Sequence, residues 1–313
     1  MTPTIILAVA MLFILLIIGV PVALSFFLSA MVIALGSGAS LSLLMSYSYK
    51  NTSSIILLTI PLFIMAGSIM AYGGIGRQII NAASRLVGRL KGGLAVVGII
   101  ACSIFAAISG SACATLSAIG GIIGPMLKEK RYPRGLVAAM MASAGVIGIL
   151  IPPSGIMILY GWSSSTSVLA CFLAGAVPGI ILAILLSLCT LFMLRNNTEI
   201  ETLSAEELKA AWAEEKRLRK ANHEHGPFWA LLMPFIILGC IYGGVTTTTE
   251  AAAIATAYAI PVGFFIYKKL TWNAMKDSFI DAAKSTGTIM LLTLTVQMLS
   301  RMLIDVNLPK MIL

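Results

Sequence analysis

Two clusters of small, hydroxyl and helix-breaking residues lie inside apolar sequence, where they are suited to hold a ligand. The first reads Ala107-Ile108-Ser109-Gly110-Ser111-Ala112-Cys113-Ala114-Thr115. Such a segment can unwind, and two half-helices meeting there leave unsatisfied groups at their ends. Free carbonyls suit Na+, free N–H groups suit a carboxylate, and Ser and Thr oxygens complete either shell. The second cluster is Gly145-Val146-Ile147-Gly148-Ile149-Leu150-Ile151-Pro152-Pro153-Ser154-Gly155. Adjacent prolines cannot continue an unbroken α-helix, so carbonyls near Gly148 and Ile149 lose their partners, and a cation is one replacement. Each motif alone has an ordinary explanation: small-residue packing with serine bonded back to its own helix, or a proline kink satisfied by neighbouring helices. Breaks in consecutive apolar segments favour a paired site over two unrelated kinks.

Charge sets the elements that must position these residues. The apolar stretch from Gly92 to Leu127 is preceded by Arg77, Arg85, Arg89 and Lys91 and followed by Lys128, Lys130, Arg131 and Arg134. Lys and Arg collect in cytoplasmic loops, so both ends lie on one side and 92–127 is expected as a re-entrant helical hairpin. Unwound backbone at membrane depth survives only when buried in protein or lining a wet cavity, so a polar tip there implies a binding site. On the same orientation 136–162 crosses outward, Ser163 to Ser167 is an uncharged outer turn, and 168–194 returns. Arg195 to His225 is then cytoplasmic, 228–244 goes out to a Thr-rich turn, 250–267 comes back, and Lys268, Lys269 and Lys276 are again inside.

Composition leads to the same class. Hydrophobic residues make up 59% of the 313 positions, charged residues 11%, and mean hydropathy is +0.99. Soluble domains carry about 25% charged residues. The expected fold class is an all-α polytopic membrane protein. Apolar stretches recur at about 5–35, 55–72, 92–127, 136–162, 168–194, 228–244, 250–267 and 286–299, most of them near the roughly 20 residues that span hydrocarbon. Barrel-type alternation is absent. The first stretch lacks a basic n-region and continues through Gly19-Val20-Pro21, so it is one or two retained helices rather than a signal peptide. The formal charge of +9 resides in loops between apolar segments, which topology explains without nucleic acid. Cys102, Cys113, Cys171, Cys189 and Cys240 have no paired metal spacing and are expected as small buried residues.

Acidic and basic residues are nearly missing from the apolar segments of the first two hundred positions, so sodium held by neutral oxygens fits better than a carboxylate proton relay. A serine hydrolase would lack its base: His223 and His225 sit in a charged loop, and no Lys or Asp accompanies Ser109 or Ser111 in the apolar segments. No phosphate-cradling Gly-x-x-x-x-Gly-Lys-Ser/Thr occurs. A channel also needs carbonyl-lined breaks and differs by its flux kinetics. Elsewhere, Ser204 to Lys220 has the acid-first, base-last pattern of a surface helix, with Leu208, Ala211, Trp212 and Glu215 along one face. Glu250, after Thr246-Thr247-Thr248-Thr249, is expected to favour a helix N-terminus. Arg301 and Asp305, four apart, are either an internal pair or the edge of the bilayer.

Four segments run in order along the chain: Ile60-Pro61-Leu62-Phe63-Ile64-Met65-Ala66-Gly67, Ile108-Ser109-Gly110-Ser111-Ala112-Cys113-Ala114-Thr115, Ile151-Pro152-Pro153-Ser154 and Thr249-Glu250-Ala251-Ala252-Ala253. Together they resemble the large membrane subunit of tripartite ATP-independent periplasmic (TRAP) transporters. The resemblance implies a Na+-driven elevator-type transporter with re-entrant hairpins and inverted repeats in the bacterial inner membrane. It implies as partners a small membrane subunit and a periplasmic binding protein, which delivers an organic acid such as sialic acid or a C4-dicarboxylate. By the same resemblance, Ser109, Ser111 and Ser154 are substrate-side hydroxyls. Ser109, Gly110, Ser111, Thr115, Gly148, Ile151 and Pro152 would form a Na+ site, mostly through backbone carbonyls.

The implied division begins with N-terminal scaffold helices over 1–75 and a first transport half over 76–165, with its hairpin at about 92–127 and its broken helix at about 136–162. Scaffold follows over 166–285, with a cytoplasmic amphipathic connector at about 198–225, and a second transport half starts at 286–313. The chain departs from the family pattern at Thr247-Thr248-Thr249-Glu250, where Thr-Pro-Thr-Glu is usual. It also shows no second hairpin or Thr-Pro-Pro break before Leu313, so the sequence is expected to be part of a longer product. The leading expectation is Na+-coupled import of a carboxylate-bearing substrate, and the alternative is a Na+-selective or anion channel.

Overall fold

The first apolar stretch breaks at Gly19, whose φ of +89° glycine adopts without strain, and Pro21 opens the next helix. A computed structural model of the chain describes residues 2–87, 92–109, 112–195, 213, 217 and 226–308. In it α1 (Thr2–Ile18) and α2 (Val22–Ser37) take the place of one long span. There follow α3 (Leu41–Thr52), α4 (Ile55–Tyr72), α5 (Ile75–Val87), α6 (Gly93–Ser109) and the short α7 (Ala112–Thr115). A π-helical turn (Leu116–Gly120) leads into α8 (Gly121–Glu129), then α9 (Arg134–Leu150), α10 (Gly155–Ser163) and α11 (Val168–Leu194). The last elements are α12 (Phe228–Tyr242), α13 (Thr248–Pro261) with a π-helical end (Val262–Ile266), and α14 (Trp272–Asp305). All regular structure among the described residues is helical. The connector expected at about 198–225, with His223 and His225, lies outside the described residues apart from Ala213 and Arg217.

Contacts divide the chain into two units: Met1–Leu57 with Ala283–Leu313, and Leu58–Ala282. Packing in one state defines these units, whereas the scaffold and transport parts expected from the sequence are defined by motion. In the first unit Ile5, Ala8, Ile33, Ala34, Leu44, Met298 and Met302 form a buried cluster. Ser29 donates to the Ala8 carbonyl at 3.0 Å, tying α2 to α1. Arg301 reaches Asp305 at 3.1 Å and lies 5.0 Å from the centre of the Tyr47 ring. Both charged side chains are more than 40% exposed, so this is a surface pair of small energetic weight.

In the second unit α4, α11, and α13 with its π-helical end are long and apolar enough to cross a membrane, and α9 with α10 forms a span bent by 43°. Thr256 donates to the Leu62 carbonyl at 2.9 Å, and Thr59 and Thr249 share a 2.7 Å hydrogen bond, joining α13 to α4. Thr247 and Glu250 form a reciprocal capping box at the start of α13, the N-terminal role expected for Glu250.

Three elements differ from expectation. The start of the basic 77–91 stretch is not loop but the helix α5. It buries Ile75, Ile79, Ile80 and Ala83 while exposing Arg77, the pattern of an interfacial helix. Helix α14 begins well before residue 286, because Lys276, Asp277, Asp281 and Lys284 decorate a helical extension of the apolar part. Cys102 is buried as expected, but Cys189 is exposed on α11 beside exposed Leu185 and Leu188, a face suited to lipid.

The hairpin is closed at its base by Tyr132, which is 5% exposed. Its phenol oxygen accepts the Leu94 N–H, one of the orphan donors of the first turn of α6. Burial pushes this phenol up to about 12, with the Leu94 hydrogen bond acting the other way, so it stays neutral at physiological pH. Tyr132→Phe removes the acceptor and is expected to cost about 1 kcal/mol. The measurement is thermal unfolding in detergent together with amide exchange, and the loss of protection should concentrate at residues 93–97.

Candidate functional site

Helices α6 and α9 run parallel, and glycine lets them touch. A side chain added at Gly98 would lie 3.6 Å from the Met141 sulfur, and one at Gly148 would run into Ala106. From 98 to 106 on one helix and from 141 to 148 on the other, the contacts advance together. One further turn along each brings Ser109 level with Ile151 and Pro152. The return arm runs the other way: Ile123 lies against Gly98, and Leu116 packs on Gly145 with its Cγ 3.1 Å from an added Cβ. The chain 93–129 is thus a hairpin whose two arms straddle α9.

The tip is buried in protein. Ser109 is 2% exposed and Thr115 0%, and their hydroxyls share a 3.0 Å hydrogen bond across the turn. Gly110 and Ser111, which complete the predicted site, lie outside the described residues. Gly67 of α4 backs the tip so closely that an added Cβ would sit 2.5 Å from Ser109 Cα. Gly67 is about 5 Å from the midpoint of α4 at 1.5 Å per residue. Because α4 is a candidate span, a tip at that level lies inside the membrane, as a re-entrant hairpin requires.

The second break is equally enclosed. Helix α9 ends at Leu150, Ile151 is extended (φ −81°, ψ 120°), Pro152 and Pro153 are buried with a cis peptide between them, and α10 starts at Gly155. The Ile151 N–H still reaches the Ile147 carbonyl at 3.0 Å. Pro152 and Pro153 have no N–H to offer the carbonyls of Gly148 and Ile149, as the sequence implied. Ser154 occupies the N-cap of α10 with 0% exposure, but its hydroxyl makes no capping bond and has no partner among the described residues. A buried hydroxyl left unpaired costs about 1–3 kcal/mol; Ser48, Gln78, Thr246 and Thr286 also have buried polar atoms without a partner among the described residues, and Ser154 is the one of them at a proline break. Helix α11 closes the back of the break: added side chains at Gly175 and Gly179 would come within 2.8 Å of the Leu150 carbonyl oxygen and of Ile151 Cγ1. The Gly175-x-x-x-Gly179 spacing was a readable signal for close helix packing that the sequence analysis did not use.

These groups are neutral oxygens and N–H donors. No group of His, Cys, Asp or Glu suited to a metal occurs among the described residues. Carbonyls released by prolines, with serine and threonine oxygens nearby, fit a hard monovalent cation. The first N–H groups of α10, next to Ser154, fit an anion. Ser109 and Thr115 at the hairpin tip, and Gly148, Ile151, Pro152 and Ser154 at the second break, thus lie on two interrupted elements that pack side by side through Ala106 and Gly148.

A re-entrant hairpin beside a broken helix, both inside the membrane, defines a protein of the membrane-transport class. The chain matches over residues 9–313 the family model described as "Tripartite ATP-independent periplasmic transporter, DctM component", and it belongs to that family. It is an inner-membrane protein. It is 34% identical over 282 residues to the isethionate TRAP transporter permease protein DctMQ of Oleidesulfovibrio alaskensis, covering 88% of this chain and 42% of that one. Against the C4-dicarboxylate TRAP transporter large permease protein DctM of Pseudomonas aeruginosa it is 34% identical, covering 90% of this chain and 64% of the relative. Against the 2,3-diketo-L-gulonate TRAP transporter large permease protein YiaN of Escherichia coli it is also 34% identical, covering 84% and 60%. The chain thus spans less than two thirds of the length of these relatives. All three relatives are named as permease components rather than enzymes.

The contact between Gly67 and the tip tests the geometry. Gly67→Ala forces its methyl against the Ser109 backbone, and overpacking of this kind costs about 1–3 kcal/mol. Gly239→Ala, where an added Cβ meets nothing within 4 Å, serves as control. Thermal unfolding in detergent should show Gly67→Ala destabilised and Gly239→Ala neutral or slightly stabilised.

Proposed function

We propose that this chain carries one half of the binding site of a Na+-coupled importer for a small organic anion, working by an elevator mechanism with a small membrane subunit and a periplasmic binding protein. The observation that carries the proposal is the buried Ser154 hydroxyl at the start of α10, without a partner among the described residues, in a broken helix packed along the hairpin that carries Ser109 and Thr115. The relatives' names cover a C4-dicarboxylate, a sulfonate and a diketo acid, which favours a compact anion, with C4-dicarboxylate as the leading class and sialic acid as the second.

In this reading Na+ is cargo, bound by carbonyls of the tip and of Gly148 to Pro152, with the Thr115 hydroxyl alongside. The substrate carboxylate takes the hydroxyls of Ser109, Ser111 and Ser154 and the first N–H groups of α10. The bound cation orders the tip and offsets the charge of the arriving carboxylate, so each ligand raises the affinity of the other. The hairpin and broken helix of 76–165 move together, while 1–75 and 166–285 supply the scaffold. At Gly67, the one glycine of α4, there is no side chain to interlock with the tip.

The test is uptake of radiolabelled succinate and sialate into proteoliposomes containing the intact permease, its small subunit and its binding protein, with and without an inward Na+ gradient. Saturable uptake that needs both Na+ and the binding protein is expected. Ser154→Ala should weaken apparent substrate affinity by about three- to ten-fold, the worth of one net hydrogen bond. Saturable uptake indifferent to Na+ would remove the coupling, and non-saturating flux would make the protein a channel.

A further inference from the structure

Below the tip, a groove of about 480 Å³ separates the return arm of the hairpin from α9. Its walls are Leu116, Gly120 and Gly124 on one side and Val137, Ala138 and Met141 on the other. Lys128, Tyr132 and Arg134 close its lower end. On the return arm the lining residues recur every fourth position, so the groove follows the helix axis. From Lys128 to Leu116 is about 18 Å at 1.5 Å per residue, close to half of a hydrocarbon core of about 30 Å. Lys128 and Arg134 are exposed and flank the turn that the charge pattern places on the cytoplasmic side.

We propose that this groove is a binding site for one anionic phospholipid of the cytoplasmic leaflet, with an acyl chain along the groove and the phosphate between Lys128 and Arg134. The two parts of the site match the two parts of that molecule. Cations at the mouth complement an anionic headgroup at the level where such lipids concentrate. An apolar channel of one leaflet's depth accepts a chain. A transported carboxylate is a poor occupant, because a charged group drawn past Leu116, Val137, Ala138 and Met141 would be desolvated without a partner. The room for the chain comes from Gly124, where an added Cβ meets nothing within 4 Å; at Gly120 an added Cβ would meet the flexible end of Met141 at 3.4 Å.

The deep end of the groove ties this site to the tip. Leu116 directly follows Thr115, whose hydroxyl holds Ser109, and Leu116 also packs on Gly145. The π-helical turn 116–120, a local irregularity of the kind found at functional sites, forms this end of the wall. A chain in the groove braces the return arm against α9 and so fixes the turn that carries Thr115. The site stands whatever solute the protein carries.

The experiment uses the intact permease reconstituted in phosphatidylcholine vesicles with trace spin-labelled phosphatidylglycerol or phosphatidylcholine, reading the motionally restricted fraction of each by electron spin resonance. Phosphatidylglycerol should be restricted at least five-fold in preference to phosphatidylcholine, and the preference should shrink as salt is raised. Lys128→Ala with Arg134→Ala should abolish the headgroup preference. Gly124→Leu, which fills the groove on a helix that tolerates leucine better than glycine, should remove the extra restricted component altogether. Helical circular dichroism and monodisperse elution of both variants establish that they fold. Equal restriction of the two lipids, or a preference that survives Gly124→Leu, would overturn the site. Displacement of the labelled lipid by succinate would also overturn it and reassign the groove to the transport route.

Discussion

Hydrocarbon offers no hydrogen-bond partner, so any backbone carbonyl or N–H released within it must be matched by protein, by trapped water or by a bound ion. Most features of the Leu58–Ala282 unit follow from this. The chain interrupts its helices twice at membrane depth, once where α6 ends at Ser109 and once at 151–154, and a break exposes groups worth several kcal/mol if left unmatched. Enclosure by protein is therefore a condition of the breaks existing at all. Backbone can approach a break closely only where side chains are missing, which explains why glycine recurs at every wall: Gly67 behind the tip, Gly148 between α9 and α6, and Gly175 and Gly179 behind the prolines. Among the described residues the matching is incomplete at Ser154, the hydroxyl to which the proposed function gives the substrate carboxylate.

Much of this was legible in the sequence because it depends on local chemistry. Basic residues on both flanks of 92–127 announced a chain that turns back, and Pro152-Pro153 announced a helix that cannot continue. Glu250 beside a run of threonines announced a capped start. The rest depends on distant partners. Nothing local to Gly67 says that Ser109 will lie against it, and nothing local to Ser154 says that its hydroxyl will forgo the capping bond its position invites. Helix α5 is a different case. Ile75, Ile79, Ile80 and Ala83 carry the helical period, while Arg77 between them and Arg85 beyond them carry the topological signal and leave that face apolar. In α14 the apolar stretch at 286–299 reports where lipid is, and the helix reaches back to Trp272 because a helix continues wherever its hydrogen bonds do.

A break lined with acidic side chains would hold a cation without help, and would then need protonation or a second cation to let it go. Neutral carbonyls and hydroxyls bind a single monovalent ion weakly enough to release it, and they do not repel an arriving carboxylate. A neutral pocket is poor at holding either charge alone and better at holding both, since each ion supplies the field that the protein does not. In the proposed function, coupling of this kind would follow from the composition of the site rather than from a separate device, in keeping with the near absence of charged side chains from the apolar segments of the first two hundred residues.

The same composition bears on motion. A transport element that carries neutral breaks through a low-dielectric scaffold avoids the large Born cost of moving fixed charges, but it must keep its breaks covered at each stage. Large interlocking side chains would cover them in one position and obstruct the next. A glycine surface covers a break by backbone contact and presents little relief to climb over. The contact of Gly67 with Ser109, five residues before the C-terminal end of α4, is such a cover. Toward the other end of that helix, Ile60 lies 3.8 Å from a Cβ added at Gly155, so the α4 face meets the hairpin tip and the start of α10 along one side. Both interrupted elements thus rest against one helix, and a displacement along it would carry the tip and the start of α10 together.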